Sequence, residues 1–185
     1  MKAAEAIYLD NNATAPIRLE VIELMCEIMG TVGNPSSVHA AGRLARTRVD
    51  MGRQQVAELV GTEPRNVIFT GNGTEADNLA LRGFGPRRFI VSGIEHGAIL
   101  APALMLDGDA AVVDVDHQGR LDLQDLETVL AATEGPALVS LMLANNETGI
   151  IQPVAEAAEI AHRHDALVHT DAIQGAGKIT VDMEQ

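Results

Sequence analysis

RFIVSGIEHGAILAPALML, residues 88–106, contains the pattern that decides the fold. A mostly apolar run ends in a polar, glycine-containing turn, and an apolar stretch long enough for a helix follows. Strands buried on both faces are continuously apolar rather than alternating, which is typical of parallel sheets covered by helices. The stretch therefore predicts a strand, a turn and a helix of an α/β domain.

The same succession recurs along the chain. Further predicted strands are NVIFT (66–70), AAVVDV (110–115), ALVSLMLA (137–144) and ALVHT (166–170). Further predicted helices are residues 19–29, residues 38–59, TEADNLALRGF (74–84), LQDLETVLAAT (123–133) and PVAEAAEIAHRH (153–164), the last with Pro153 in its first turn. We expect an α/β fold with a mostly parallel sheet and helices on both faces, in a single domain over residues 1–185.

The charge and composition exclude several classes of protein. A net charge of -13 repels phosphate backbones and anionic membrane surfaces, so we expect no nucleic-acid or membrane partner. Cys26 is the only cysteine, which excludes an internal disulfide and makes a cytoplasmic location the simplest expectation. No stretch resembles a secretion signal or a membrane helix.

Glycines and hydrogen-bonding residues follow the first predicted strand of the α/β pattern. In parallel sheets, ligands bind beyond the carboxyl ends of the strands. The turn GNGTE contains Gly71 and Gly73, and Thr74 would open a helix whose free N–H groups can bind a phosphate. Taken alone, the same residues are also explained by a capping turn with Thr74 as the N-cap.

Three later strand ends carry further candidates. His96 follows RFIVS and could stack on a ring or move protons near neutral pH. Asn145 and Asn146 follow ALVSLMLA, while Asp171 and Gln174 follow ALVHT and can face one ligand. Each residue type is also an ordinary turn former or structural residue, so the argument rests on the clustering.

The remaining reactive residue types have structural explanations. His162 and His164 are two positions apart on a predicted helix, so they point to different sides, and no HExxH or cysteine cluster predicts a metal site. His117 lies in a predicted turn, and His169 is expected in the core or beside a bound ring. Cys26 is expected to be a small buried hydrophobe rather than a nucleophile.

Six motifs in register carry a family resemblance over essentially the whole chain. They are YLDNNAT, GNPSSVHAAG, VIFTGNGTEADNLA, EHGA, LANNETGIIQP and HTDAIQGAGK. In this order they resemble the cysteine desulfurases of the NifS and IscS type, which are class V aminotransferase enzymes with pyridoxal 5'-phosphate. The resemblance implies the large domain of a fold-type I pyridoxal phosphate enzyme.

The resemblance assigns roles to seven residues. Asp171 would pair with the pyridinium nitrogen of the cofactor and keep it protonated, which makes the ring an electron sink. The other implied roles are phosphate binding by Gly73 and Thr74, ring stacking and proton transfer by His96, orientation of ring and substrate by Asn146, hydrogen bonding of the phenolic oxygen by Gln174, and lining of the substrate entrance by Asn34.

The sequence also departs from the family pattern. It has GNGTE where the family usually has SGATE, which leaves backbone phosphate contacts intact. The family binds the cofactor covalently through a lysine in a later Ser-x-His-Lys motif, whereas the lysines here are Lys2 and Lys178. The persulfide-forming cysteine, the small domain and the substrate-binding arginine have no match either. The resemblance therefore implies a cofactor-binding domain over 1–185 that is truncated at its C-terminus.

The expected reaction converts L-cysteine to L-alanine and transfers persulfide sulfur for iron–sulfur cluster or thio-cofactor assembly. We do not expect a truncated chain to turn over alone. The resemblance further implies a homodimer and a sulfur-acceptor or scaffold protein as partner. Two alternatives stay open: a non-catalytic paralogue or split-enzyme half that binds cofactor or a partner, and another class V activity such as selenocysteine lyase or aminotransferase.

Overall fold

The computed structural model of the protein describes residues 7–85 and 87–183. The chain divides into two compact units, Met1–Ile68 and Phe69–Gln185. The single cofactor-binding domain expected over residues 1–185 stays a prediction.

The first unit contains α1 (Leu19–Met29), α2 (Ala40–Val60) and a 3-10 turn at Pro64–Asn66. α2 begins after His39, whose Nδ1 accepts a hydrogen bond from the Gly42 amide and caps the helix. It ends at Gly61, which adopts the left-handed conformation (φ 66°) common at helix C-termini. No residue of α1 is buried, so the expectation of a buried Cys26 was wrong and the thiol is exposed.

The second unit alternates helices and strands. Its elements in chain order are α3 (Gly73–Gly83), β1 (Arg88–Ser92), α4 (Gly97–Leu106), β2 (Ala111–Val113), α5 (Leu123–Ala132), β3 (Ala137–Ser140), α6 (Val154–Arg163) and β4 (Leu167–His169). The predicted strand at 88–92 and helix at 97–106 are confirmed at both ends. Pro153 is the N-cap of α6 rather than a residue of its first turn.

The four strands form one parallel sheet in the order β2-β1-β3-β4. Ile90 pairs with Ala111 on β2 and Val139 on β3, and Ser140 pairs with His169 on β4. Because every connection between neighbouring parallel strands is a crossover, the carboxyl ends of the strands meet at one edge. The predicted parallel α/β fold is confirmed.

Alternate residues of the strands enter two separate cores, one on each face of the sheet. One core joins the sheet to α5 and α6, and contains Ile90, Val139 and Leu141 with Leu126 and Ala157. The other core joins the opposite face to α3 and α4; its buried members are Leu81, Phe89, Val91, Ile99, Ala103 and Leu138. Because side chains alternate between the two faces along β1 and β3, both faces are apolar, and each face is covered by helices.

The predicted strand NVIFT is wrong. Asn66 ends the 3-10 turn, and residues 67–70 have no strand structure. A strand is defined by its ladder, and the ladders and bridges among residues 7–85 and 87–183 do not include residues 67–70. Instead the Val67 carbonyl accepts a hydrogen bond from Arg53 Nε, and Ile68 and Phe69 are exposed.

The helices give no sign of a membrane span. Across the described ranges, none combines the length and the apolar character that crossing a bilayer requires.

Candidate functional site

Asp171 lies just beyond β4, at the edge where the strands end. Its backbone carbonyl accepts a hydrogen bond from the Leu143 amide at 2.9 Å, which continues the pairing of β3 and β4 past their last assigned residues. Its Oδ1 accepts a hydrogen bond from the Ile173 amide at 3.0 Å. The carboxylate is therefore held on an extended, partly buried backbone rather than on a mobile loop.

The N-terminus of α3 lies beside the Asp171 loop. A Cβ built on Gly73 would lie 3.2 Å from Ile173 Cδ1, so the first residue of the helix contacts the segment that follows Asp171. Thr74 is the next residue of the same turn and is exposed. The structure thus brings the two predicted phosphate-binding residues to the predicted ring-binding acid.

Asn72, not Thr74, caps α3, which corrects the capping alternative. Asn72 Oδ1 accepts a hydrogen bond from the Glu75 amide at 2.9 Å. Glu75 Oε2 in turn accepts the Gly71 amide at 2.6 Å, so cap and third residue support each other as in a capping box. The amides of Gly73 and Thr74 point out of the first turn and are available to an anion.

His96 is the N-cap of α4. Its Nδ1 accepts a hydrogen bond from the Ala98 amide at 3.1 Å, which assigns the proton of the neutral ring to Nε2. The pKa of Asp77 is lowered by His96 and raised by Asp171, so both residues face this carboxyl. The exposed ring is thus fixed in orientation within the same site.

The two asparagines after β3 have different surroundings. Asn145 is buried, and its Oδ1 accepts hydrogen bonds from the Glu147 amide, the Thr148 amide and the Thr148 hydroxyl. The Asn145 side chain therefore stabilises the loop that contains it. Asn146, the predicted ring-orienting residue, is the half-buried member of the pair, and its role stays a prediction.

Gln174 is joined to one of the two lysines of the sequence. Lys178 Nζ donates a hydrogen bond to Gln174 Oε1 at 2.6 Å. A bond from Gln174 to a phenolic oxygen would use its amide nitrogen as the donor, and this role stays a prediction. Lys2 lies outside the described residues.

Two buried acids belong to the same region, although the sequence patterns did not mark them as site residues. Asp77, on the second turn of α3, and Glu95, directly before His96, are each 6% exposed. Burial raises the pKa of Asp77 to about 6, and the charge of Asp171 adds to this shift. Burial likewise raises the pKa of Glu95 to about 7, although its hydrogen bond from the Met142 amide opposes the shift.

Glu95 Oε2 is buried and has no hydrogen-bond partner in the part of the chain that the structure describes. Over residues 7–85 and 87–183, Asp77, Glu95 and Asp171 make one ion pair, the 3.8 Å contact of Asp77 Oδ1 with His169 Nε2. The site therefore gathers negative charge without a matching basic side chain.

The side chain of His169 packs inside the unit, as predicted. Burial lowers its pKa, whereas Asp171 raises it, and the net shift is downward. Its Nδ1 lies 2.9 Å from the Ser140 hydroxyl. His162 is exposed, and half-buried His164 contacts Glu127 at 2.7 Å. Among the described residues no group of three or more His, Cys, Asp or Glu is arranged to bind a metal.

Asn34 belongs to the first unit. It is exposed in the turn before α2, where its Oδ1 accepts a hydrogen bond from the Ser36 amide at 2.9 Å. Its assignment to a substrate entrance stays a prediction.

Comparisons with known proteins agree with the geometry. The sequence profile of the family described as aminotransferase class-V matches residues 7–185. The chain belongs to the class V aminotransferase family. A cysteine desulfurase of Cereibacter sphaeroides is 41% identical to it over 188 residues, which are 96% of this chain and 48% of the relative.

Two solved structures share the fold of the chain. The crystal structure of a NifS-like protein from Rickettsia africae has a TM-score of 0.90 at 35% identity, covering 97% of this chain and 51% of that one. A structure described as SspA in complex with cysteine has a TM-score of 0.85 at 26% identity, over 96% and 53% of the two chains. The chain thus spans about half the length of these relatives.

Proposed function

We propose that the protein is a pyridoxal 5'-phosphate-dependent cysteine desulfurase and that its second unit binds the cofactor. The observation that carries this proposal is the position of Asp171 beside the N-terminus of α3, through the contact of Ile173 with Gly73. An acid suited to a ring nitrogen and first-turn amides suited to a phosphate would thereby share one surface, which supports the proposal. Relatives named cysteine desulfurases support the choice within the class V family.

The charges of the site fit this cofactor. Asp171, Asp77 and Glu95 are near enough to affect one another, and a buried imidazole is their one ion-pair partner in the described ranges. Such a group of acids favours a bound cation, and a protonated pyridine nitrogen supplies one. Asp171 is the least buried of the three, so it is the acid that can reach a ligand.

The phosphate would bind at the opposite end of the surface. The first-turn amides of Gly73 and Thr74 and the positive end of the α3 dipole attract an anion. The Thr74 side chain is exposed and adds a hydroxyl donor. Asn72 keeps its own oxygen on Glu75, which leaves the first-turn amides to the ligand.

The remaining residues would orient the ring. His96 can stack on it and, with its proton on Nε2, move a proton at the substrate. Asn146 would fix ring and substrate, and Gln174 would donate its amide group to the phenolic oxygen. When bound, the cofactor supplies an electron sink for bond breaking next to the amino group of an amino acid.

Within the proposal, L-cysteine is the substrate and L-alanine the product, with sulfur passed on as a persulfide. The structure described as a complex with cysteine supports this substrate class. Lys178 is not our candidate for the covalent lysine, since its ammonium group is engaged by Gln174. Cys26 lies on α1 in the first unit and is not our candidate for the persulfide. A homodimer and a sulfur-acceptor or scaffold protein belong to the same proposal.

The experiment is a titration of the purified protein with pyridoxal 5'-phosphate, followed by absorbance and by equilibrium dialysis. We expect saturable binding that Asp171→Asn weakens at least tenfold, with Asp165→Asn, before the opposite end of β4, as matched control. With L-cysteine added, we expect no alanine from this chain alone, because neither Lys178 nor Cys26 is our candidate for the covalent lysine or the persulfide. Conversion of L-cysteine to alanine by this chain alone, or absence of binding by the unmodified protein, would overturn the proposal.

A further inference from the structure

Asp77 and Glu95 have no role in the proposed cofactor contacts, although each is 6% exposed. They come from different elements, α3 and the segment before α4, on the same face of the sheet. Burying two carboxylates that have one imidazole contact between them, at 3.8 Å, is expensive, so their positions need a physical explanation.

Ser140 and His169 lie between the two acids. They are paired in register on β3 and β4, and the Ser140 hydroxyl lies 2.9 Å from His169 Nδ1. On the other side of the ring, His169 Nε2 lies 3.8 Å from Asp77 Oδ1. The imidazole therefore presents one nitrogen to the hydroxyl and the other nitrogen to the acid.

Glu95 lies near Ser140, at the end of β3. Its Oε1 accepts a hydrogen bond from the Met142 amide at 2.5 Å, two residues after Ser140. The Ser140 side chain lowers the pKa of Glu95 and therefore lies near its carboxyl, but Glu95 Oε2 accepts no hydrogen bond from the described residues, so a relay requires the hydroxyl to turn toward this oxygen. A hydroxyl has one proton, which it can give either to Glu95 or to His169 Nδ1.

We propose that Ser140 and His169 form a proton relay through which Glu95 and Asp77 share one proton. In the first state, Glu95 is protonated and donates to Ser140 Oγ, Ser140 donates to His169 Nδ1, and the proton on Nε2 faces ionised Asp77. In the second state, each proton has moved one step. The Glu95 proton has passed to Oγ, the hydroxyl proton to Nδ1, and the Nε2 proton to Asp77.

Every atom balances in this transfer. The two states contain the same number of protons, and one negative charge has moved from Asp77 to Glu95. The gap of 3.8 Å at Asp77 is longer than a hydrogen bond, so the last step requires a rotation of that carboxylate or a bridging water.

The charges around the relay favour one shared proton near neutral pH. Burial and Asp171 raise the pKa values of both acids, Asp77 raises that of Glu95, and His96 lowers that of Asp77. Burial holds the pKa of His169 below its usual range against the opposing effect of Asp171. The ring is thus neutral and can pass a proton through either nitrogen.

The relay would let the protein move negative charge between α3 and the segment before α4 without exchange with solvent. It goes beyond the proposed function, because it needs no cofactor and is a property of these side chains alone. A failure of the relay would leave the cofactor proposal standing, and the reverse also holds.

The test is the tautomer of His169, measured by long-range ¹H–¹⁵N correlation in ¹⁵N-histidine protein without cofactor, between about pH 6 and 8. For the unmodified protein we expect averaged shifts that show both tautomers. Glu95→Gln leaves the charge on Asp77 and should fix the proton on Nε2. Asp77→Asn leaves the charge on Glu95 and should fix the proton on Nδ1.

Glu127→Gln is the matched control, because it breaks the carboxylate–imidazole contact of His164 and should leave the signals of His169 unchanged. Opposite tautomers in the two test variants are the signature of the relay, since a purely structural role predicts no such exchange. The same tautomer in both variants would overturn the proposal. If neither variant folds, a single His169 tautomer at every pH in the unmodified protein overturns it.

Discussion

Ser140 and His169 occupy opposed positions on neighbouring strands, and their side chains meet at 2.9 Å on the face covered by α3 and α4. Asp171 lies two residues beyond His169, so the period of a strand places its side chain toward the same face. Leu138 begins this row in the apolar core. The face therefore changes from apolar to ionisable within a few residues, at the carboxyl ends of the strands, which is the edge where parallel sheets commonly bind ligands.

Removal of the charge on Asp171 should change the pKa values of three neighbouring residues. Because this carboxylate raises the pKa values of Asp77, Glu95 and His169, Asp171→Asn should lower all three. The asparagine oxygen can still accept the Ile173 amide, so the backbone should persist. NMR titration of His169 measures the effect, with Asp165→Asn as control. An unchanged His169 titration would show that the charge of Asp171 does not reach the ring.

Glu95→Gln should change how stability depends on pH. The folded state raises the pKa of Glu95 from 4.5 to about 7, so it binds more protons than the unfolded state in this window. The contribution of Glu95 to the free energy of unfolding is fully present below pH 4.5 and is lost as the pH rises toward 7, by roughly 3 kcal/mol at most. The glutamine variant has no carboxyl group to ionise and does not show this loss, and its amide oxygen can still accept a hydrogen bond from the Met142 amide.

Urea denaturation at about pH 5 and about pH 8 measures the difference. The stability of Glu95→Gln relative to the unmodified protein should rise with pH, whereas Glu147→Gln at an exposed position should show no such trend. A constant difference across this range would mean that Glu95 titrates alike in both states.

The buried side chain of Gln152 should contribute to the free energy of unfolding. It is 4% exposed; its Oε1 accepts the Leu121 amide and its Nε2 donates to the Gly119 carbonyl, both at 2.9 Å. Gln152→Ala leaves two backbone groups without partners and should cost about 1–3 kcal/mol. Thermal denaturation beside Gln118→Ala, at an exposed turn position, measures this cost. Equal melting temperatures would contradict the contribution of these bonds.

The strands and helices of the second unit could be predicted because their signals are local. Continuous apolar runs such as 88–92 and 137–140 have no other stable place than the centre of a covered sheet. The strand predicted at 66–70 failed because pairing is not local: its apolar residues carry no information on whether a neighbouring strand exists.

The site was predictable only in part for a similar reason. Asp171 and His96 follow strands directly, so their position at the sheet edge follows from topology. Asp77 lies inside a helical pattern and Ser140 inside an apolar run, where nothing in the sequence separates them from surface or core residues. The one available signal was the spacing of His169 and Asp171, which puts both on one face of a strand.

Asn72 should control the affinity of the proposed phosphate site. Its Oδ1 holds the Glu75 amide at 2.9 Å and keeps the first turn of α3 in place. Asn72→Ala removes this cap and should destabilise the first turn of α3 by about 1 kcal/mol. If the ligand has to order this turn when it binds, the same free energy is lost from binding, and affinity for pyridoxal 5'-phosphate falls about fivefold. Asn72→Ser keeps a capping oxygen and is the matched control, with affinity near that of the unmodified protein. Equilibrium dialysis compares the three proteins. Equal binding by Asn72→Ala would mean that the ligand orders the turn without the cap, whereas equal loss in both variants would mean that the asparagine side chain itself contacts the ligand.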